Sequence, residues 1–221
     1  MFLKSSGFKK LINEAYKGVG LSVGNDGNGY YIHGGYWVIW IRKGCISKKG
    51  LASIIELTGE LPEPGTGFKA TKAGNQYEMQ WREEFSAWEN ANTCDEEVEI
   101  TPLTLKYASG QQARILQKVK DGQIILVNER FIEMVDNTEV EYEDGETRAV
   151  GPLTSRKYLG VFWKNERMAL HVYPRTDDEN RELIGYLEAF DIMNRGENRD
   201  EYRLLGHGIP KASEEKETEE A

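Results

Sequence analysis

Short runs of β-branched and aromatic residues, separated by turn residues, constrain this sequence of 221 residues more than any other feature. The clearest runs are residues 36–41, 98–107, 113–119 and 123–127. The dipeptides Ser109-Gly110 and Asp121-Gly122 are typical of tight turns between strands. We expect two further hairpins, over residues 68–81 and 158–173. Strands joined by hairpins are antiparallel, so the pattern predicts antiparallel sheets.

A smaller number of segments have the spacing of amphipathic helices. We predict helices over residues 5–17, 47–58 and 178–194, and a short one that Asn128 caps. Ser5 or Ser6 is expected to cap the first helix, and Ser47 the second. Residues 82–97 fit either a short helix or a connector, and a charged loop is expected through Gly151-Pro152. The fold class is therefore α+β, with antiparallel sheets built from hairpins and a few amphipathic helices on one face.

Composition narrows the class of protein. No stretch has the apolar length of a signal peptide or a membrane span, so a cytoplasmic location without a membrane partner is the expectation. Cys45 and Cys94 stand alone, which predicts reduced, structural cysteines. The formal net charge is −9. Five Glu and two Lys in residues 207–221 account for −3 of it, leaving −6 for the body and predicting a solvated tail.

The sequence carries no motif that predicts an active site, a cofactor or a metal. The loop at residues 24–29, GNDGNG, lacks the Lys-Ser/Thr of a phosphate-binding loop and is better explained as a hairpin turn. The histidines His33, His171 and His207 are isolated, without metal-ligand spacing. The alternating acidic run at residues 139–143 does not match a calcium loop. We therefore expect no cofactor and no metal.

An aromatic cluster allows two interpretations. It comprises Tyr30, Tyr31, Tyr36, Trp37 and Trp40. On a sheet face such residues form a stacking platform for bases or sugars, whereas aromatic residues in strands ordinarily fill the core. No basic motif of an RNA-binding domain accompanies them, so the core interpretation is favoured.

Two segments resemble the half-domains of bacterial sliding clamps, the ring-shaped processivity factors of replicative polymerases. The first is SKKGLASIIELTGELPEPGTGFKATKAGNQYEMQ, a helix followed by a turn and a hairpin. The second pairs VNERFIEMVDN with GVFWKNERMALHVYPR, which ends in Tyr173-Pro174-Arg175, similar to the last strand of a clamp. The resemblance implies two clamp-like halves and helices that line a surface facing DNA.

The resemblance also implies which residues touch nucleic acid. The candidates are Lys9, Lys10, Lys17, Lys48 and Lys49. They would neutralise phosphates of duplex DNA without reading bases. The alternative is an ordinary solvated lysine face. The resemblance further implies a polymerase-type protein partner and a homo-oligomer.

We therefore expect a non-enzymatic, clamp-like accessory protein that binds DNA or a replication partner, of phage or mobile-element type. Two alternatives stay open: an adaptor or structural module that binds proteins only, and an enzyme whose site is assembled from dispersed residues around His33, His171 and the acidic residues. The expected division is a first α+β half over residues 1–95, a second half with a C-terminal helix over 96–195, and a linker with a disordered acidic tail over 196–221.

Overall fold

The computed structural model describes residues 1–77, 87–136, 149–155, 159–176 and 180–193. The five helices within these residues are α1 (Ser5–Lys17), α2 (Lys48–Thr58), α3 (Ala87–Asn92), α4 (Glu129–Met134) and α5 (Arg181–Glu188). The eleven strands are β1 (Leu21–Asn25), β2 (Gly29–His33), β3 (Trp37–Arg42), β4 (Thr66–Thr71), β5 (Gly74–Gln76), β6 (Glu96–Lys106), β7 (Gln112–Lys118), β8 (Ile124–Asn128), β9 (Val150–Thr154), β10 (Val161–Lys164) and β11 (Met168–Val172). The predicted α+β class is confirmed.

All described strands form one antiparallel sheet, in the order β5-β4-β1-β2-β3-β11-β10-β9-β6-β7-β8. The order 5-4-1-2-3 of the first five strands recurs as 10-9-6-7-8 in the next five. In each set a helix precedes the first strand and another lies between the third and fourth. The topology of the described residues is therefore an internal repeat. The boundary at residues 95 and 96 stays a prediction, and residues 196–221 lie outside the described residues.

β11 joins the two sets of strands. It pairs with β10 of the second set and, along its whole length, with β3 of the first. The register places Met168 opposite Ile41, Leu170 opposite Ile39 and Val172 opposite Trp37. Because all of these side chains are buried, the two halves share one continuous core.

The first face of the sheet is covered by α1, α2 and α4. Their apolar residues pack with inward-pointing side chains of both halves, from Leu21 in β1 to Val127 in β8. Phe8, Leu11 and Ile12 of α1 are each at most 3% exposed, which places this helix at the centre of the main core. Residues 2–4 continue the contact by pairing with the end of α4, since Lys4 N donates to Met134 O.

The second face is covered by α3 and α5, so the expectation of helices on one face only is wrong. Ala87 and Ala91 of α3 pack onto the middle of the sheet, and Ile184 and Leu187 of α5 pack onto β7 and β8. Side chains alternate between faces along a strand, and the central strands have apolar residues at both sets of positions. A strand that is apolar on both sides requires cover on both sides.

Two of the three predicted helix caps are found. The Ser47 side chain accepts a hydrogen bond from Gly50 N, and the Asn128 side chain accepts one from Arg130 N. The α1 prediction has the correct bounds but the wrong cap, because Lys4 occupies the cap position and no side chain caps the helix. For residues 82–97, which fit either a short helix or a connector, the structure shows a short helix, α3.

The prediction of a charged loop through Gly151-Pro152 is wrong, because these residues lie in β9, which pairs between β10 and β6. Proline cannot donate to the ladder, which is why this segment does not resemble a strand in sequence. β9 accommodates it at an irregularity. Leu153 pairs with Phe162 and Val150 pairs with Lys164, with a register shift between them that leaves Pro152 out of the pairing.

α5 is shorter than predicted, with eight residues. Only some of the apolar residues in the predicted helix face the sheet. Ile184 and Leu187 contact the sheet, whereas Leu183 and Phe190 are exposed.

The predicted hairpin over residues 68–81 is present as β4 and β5, and its end beyond residue 77 lies outside the described residues. The acidic run at residues 139–143 also lies outside them.

Truncation of Ile12 tests the position of α1 at the centre of the core. The Ile12 side chain is 0% exposed, so we expect Ile12→Ala to lower the free energy of unfolding by about 2 to 4 kcal/mol through lost burial and a residual cavity. Urea unfolding measures the change. Lys10→Ala, on the outward side of the same helix, is the control and should change stability by less than about 0.5 kcal/mol. Equal effects of the two substitutions would contradict this packing.

Candidate functional site

The five candidate lysines lie on the outward side of α1 and α2. Amphipathic spacing turns the apolar residues of both helices toward the sheet and leaves Lys9, Lys10, Lys17, Lys48 and Lys49 exposed. The two helices pack against each other, so the structure brings all five lysines into one surface. We call this outward surface of α1 and α2 the helix layer.

The helix layer is positively charged within an acidic chain. Five lysines and two glutamates on α1 and α2 give it a formal charge of +3, against −9 for the whole protein. Lys9 pairs with Glu56 at 3.2 Å, and both side chains are more than half exposed. The side chains of Lys10, Lys17, Lys48 and Lys49 make no hydrogen bond or ion pair with any described residue. Four of the five candidate charges are therefore available to an anionic partner.

Two further contacts attach α4 to this layer. Arg130 of α4 forms an ion pair with Glu14 of α1, and Lys4 Nζ donates to the backbone oxygen of Glu133 at 2.8 Å. Glu14 is the acidic residue of α1, and its charge is neutralised by Arg130 rather than by a candidate lysine. This arrangement leaves the lysine charges of α1 largely uncompensated.

A cleft on the second face lies at the end of β11. It has a volume of about 420 Å³ and is lined by residues of α5, β8 and the segment leading into β10, together with Pro174 and Arg175. Ile184, Leu159 and Pro174 supply apolar surface, and Leu159 is 71% exposed. We call it the β11 cleft. Sequence reasoning singled out Tyr173-Pro174-Arg175 but missed the other residues, which are distant in the chain.

Arg175 is held rigidly beside this cleft. Its guanidinium lies 3.7 Å from the centre of the Tyr107 ring and donates to the Gln111 side chain at 2.8 Å. Its backbone N–H donates to Leu126 O on the edge of β8. The three contacts fix both the backbone and the charged group, so the cleft has a defined shape and one positioned cation.

Of the three histidines, His33 and His171 lie in the described sheet, and His207 lies outside the described residues. His33 and His171 both lie opposite Val38 in the sheet, one strand to either side of it. His171 is buried between Phe162 and Tyr173, and its Nε2 donates to Leu159 O at 3.0 Å. Burial lowers the pKa of His171 to about 4. It is therefore neutral at pH 7, with a structural role that its ring stacking explains.

Other groups with shifted pKa values are also explained by packing. Burial raises the pKa of the Cys94 thiol to about 11, which keeps it protonated and unreactive at neutral pH. Burial and the neighbouring Glu89 raise the pKa of Tyr31, whose hydroxyl donates to Glu89 at 3.1 Å. In the described part of the chain, no group of three or more His, Cys, Asp or Glu side chains is placed to hold a metal ion.

The aromatic cluster belongs to the core rather than to an open platform. Tyr31, Trp37 and Trp40 are at most 6% exposed, and Trp40 stacks on Trp88 of α3 with ring centres 4.5 Å apart. The Trp40 indole N–H donates to Asp26 in the turn between β1 and β2. That turn closes the hairpin expected for GNDGNG. Tyr36 differs from these buried residues, because it is 67% exposed.

Comparison with protein-family models, with curated proteins and with solved structures finds no match for this chain. None of the helices in the described ranges has the length and apolar character needed to cross a membrane. The helix layer and the β11 cleft therefore carry the functional interpretation on their own geometry.

The buried His171 predicts a loss of stability in acid. Its folded pKa of about 4 lies below the ordinary value of 6.5, so as the pH falls the unfolded chain takes up this proton first. The stabilisation is fully present above about pH 6.5 and is lost as the pH falls toward 4. We expect the neutral His171 to account for roughly 2 to 3 kcal/mol of the loss between pH 7.5 and 4.5.

Urea unfolding of the wild type and of His171→Leu at the two pH values measures this contribution. The variant should be less stable at pH 7.5 but should show a smaller decrease between the two values. His33→Leu is the control, because that ring is only partly buried. The same acid sensitivity in His171→Leu and the wild type would show that other groups cause it.

Proposed function

We propose that this protein is a non-enzymatic, clamp-like accessory protein of DNA replication, cytoplasmic and of phage or mobile-element type. In this proposal the helix layer holds duplex DNA and the β11 cleft receives a segment of a polymerase-type partner. The observation that carries the proposal is the helix layer, with its charge of +3 and four exposed lysines unpaired among the described residues. Such a surface neutralises phosphates without reading bases, which suits a protein that must bind any sequence.

The repeated strand order supports the same proposal. The resemblance to clamps implies two similar halves, and the two sets of five strands have an equivalent order, each with a helix between its third and fourth strand. α2 and α4 hold the equivalent positions in the two sets, and both cover the first face of the sheet. Lysines are concentrated on α1 and α2, so we propose that the first half supplies most of the DNA contact.

Self-association completes a clamp, and both edges of the described sheet resist strand pairing between copies. On β8, Ile124 N donates to Glu188 and Leu126 O accepts from Arg175 N, so the chain itself occupies part of that edge. β5, at the other edge, has three residues. A short or blocked edge resists pairing with another chain. Light scattering with and without duplex DNA measures the mass, and a mass above 25.2 kDa is the expected result for a clamp-like oligomer.

Charge reversal tests the DNA contact. The double variant Lys10→Glu, Lys49→Glu should bind a fluorescein-labelled 30-base-pair duplex more weakly than the wild type at low salt. Each lost phosphate contact should reduce the slope of log affinity against log salt concentration by about 0.9. Fluorescence anisotropy at several salt concentrations measures both quantities.

The matched control is Lys106→Glu, Lys120→Glu, which changes the total charge equally at two exposed positions outside the helix layer. It should bind nearly as the wild type does. Equal weakening in the two double variants would show that net charge alone governs binding. A wild-type protein that ignores duplex DNA at low salt would favour the protein-binding adaptor instead.

The β11 cleft is tested with a random peptide library displayed on phage. We expect selection on the wild type to enrich short peptides with apolar side chains, complementary to Leu159 and Ile184. Leu159→Glu should reduce their affinity at least about tenfold, because a charge replaces apolar contact surface. Val19→Glu, at another exposed apolar position, is the control. Enriched peptides that bind both variants equally would place the partner elsewhere.

A further inference from the structure

A hollow on the second face of the sheet combines an indole with basic side chains. Its volume is about 530 Å³. We call it the α3 hollow, and the lining residues that matter are Arg42, Trp88, Asn92, Lys164, Asn165 and Glu166. It lies on the opposite side of the sheet from the helix layer, since Trp88 and Asn92 belong to α3. A ligand bound in the α3 hollow is therefore separate from duplex DNA bound at the helix layer.

The fold brings these residues together from distant parts of the chain. Arg42 ends β3 and Lys164 ends β10, and the turn from β10 to β11 lies beside Arg42 because Arg42 N donates to Arg167 O. Arg42 follows Trp40 by two residues, and alternation along the strand directs both side chains to the second face. α3 lies across this face and turns Trp88 and Asn92, one helical turn apart, toward the same corner.

The charges at this corner are predominantly positive. Arg42 and Lys164 are the cations of its lining, and Glu166 is the acidic residue. The Arg42 side chain is exposed and makes no hydrogen bond or ion pair with another described residue. Lys164 Nζ donates to Asn92 Oδ1 at 3.4 Å, a neutral partner that leaves its charge uncompensated. Two cations therefore face a space that an anion is able to enter.

Trp88 adds a planar apolar surface to this basic corner. One side of its ring system stacks on Trp40, with centres 4.5 Å apart, which fixes its orientation. Trp88 is only partly buried, and the remainder of its surface lines the hollow. An immobilised indole beside a cation is suited to hold a planar aromatic group that bears a negative charge. The amide groups of Asn92 and Asn165 also line the hollow, and their oxygens accept hydrogen bonds from Lys164 Nζ and Arg167 N. Amide groups are a type that hydrogen-bonds to base edges.

We propose that the α3 hollow binds a phosphorylated base, with the base against Trp88 and the phosphate between Arg42 and Lys164. A free mononucleotide and one residue of a single-stranded nucleic acid both present this chemistry. Duplex DNA does not, because its bases are stacked inside the helix. The α3 hollow is thus a second nucleotide-binding surface, distinct in both position and ligand from the helix layer.

Fluorine NMR of protein labelled with 5-fluorotryptophan tests the stacking contact. Trp88→Phe identifies the Trp88 resonance by its disappearance. Titration with AMP, and separately with the single strand dA12, should shift the Trp88 resonance, while those of Trp37 and Trp163, buried on the first face, stay in place. A shift with AMP alone identifies a mononucleotide site, and a shift with dA12 alone identifies a single-strand site. An unchanged Trp88 resonance at saturating concentrations of both, or the same shift with inorganic phosphate, would overturn the proposal.

Substitutions of the two cations test the phosphate contact. Arg42→Glu and Lys164→Gln should each weaken binding of whichever probe shifts Trp88 by about tenfold. For dA12, each should also reduce the salt slope by about 0.7. Lys106→Glu is the control for total charge and should bind as the wild type does. Lys10→Glu, Lys49→Glu should likewise retain AMP and dA12 binding, so a failure of the duplex proposal is separable from a failure here. Equal binding by Arg42→Glu, Lys164→Gln and Lys106→Glu would disprove the site.

Discussion

The pairing of β3 with β11 is the contact on which the rest of the structure depends. It joins the last strand of the described residues to the third, and it places Trp37, Ile39 and Ile41 against Val172, Leu170 and Met168. All six side chains are at most 1% exposed. Closing so long a loop costs conformational entropy, and burial of these residues on the first face offsets that cost. The pairing makes one sheet, and hence one core, from two sets of strands.

The same pairing determines where the two candidate nucleic-acid surfaces lie. On the first face, the continuous core supports α1 along its whole length, so its lysines are held on a helix with little freedom to move. On the second face, the end of β3 lies beside the turn between β10 and β11, and Arg42 and Lys164 line the same hollow only because β11 joins their strands. Each surface is therefore attached to rigid elements rather than to loops.

Local sequence signals predict the elements that depend on local interactions. The bounds of α1 and the caps at Ser47 and Asn128 follow from helical spacing and short polar side chains, which act within one turn. β9 was not predicted, because Pro152 removes a donor and only an irregular register makes its place in the sheet possible. The side of the sheet that α3 occupies was not predictable either. It depends on pairings between strands more than a hundred residues apart.

The candidate sites also differ in whether local sequence signals or long-range strand pairing determine them. The lysines of the helix layer were named as DNA contacts from the resemblance to sliding clamps, and amphipathic spacing predicted only that they lie on the outward side of a helix. The α3 hollow was missed, because Arg42, Trp88 and Lys164 belong to different elements and none carries a motif. The resemblance to sliding clamps directed attention to α2 and to Tyr173-Pro174-Arg175, and it suggested no ligand site beside α3. Residues that meet only through long-range strand pairing leave no spacing for sequence reasoning to detect.

The negative charge of the whole protein does not oppose these two positive surfaces at physiological salt. Screening limits interactions between exposed charges to roughly 8 Å, which is shorter than the distance across a sheet covered by helices on both faces. A phosphate at the helix layer therefore responds mainly to the local charge of +3, and one at the α3 hollow mainly to Arg42 and Lys164. At low salt the total of −9 acts over a longer range and repels any polyanion. The affinity of either surface should thus fall less steeply with added salt than its number of phosphate contacts alone implies, since salt also screens this repulsion.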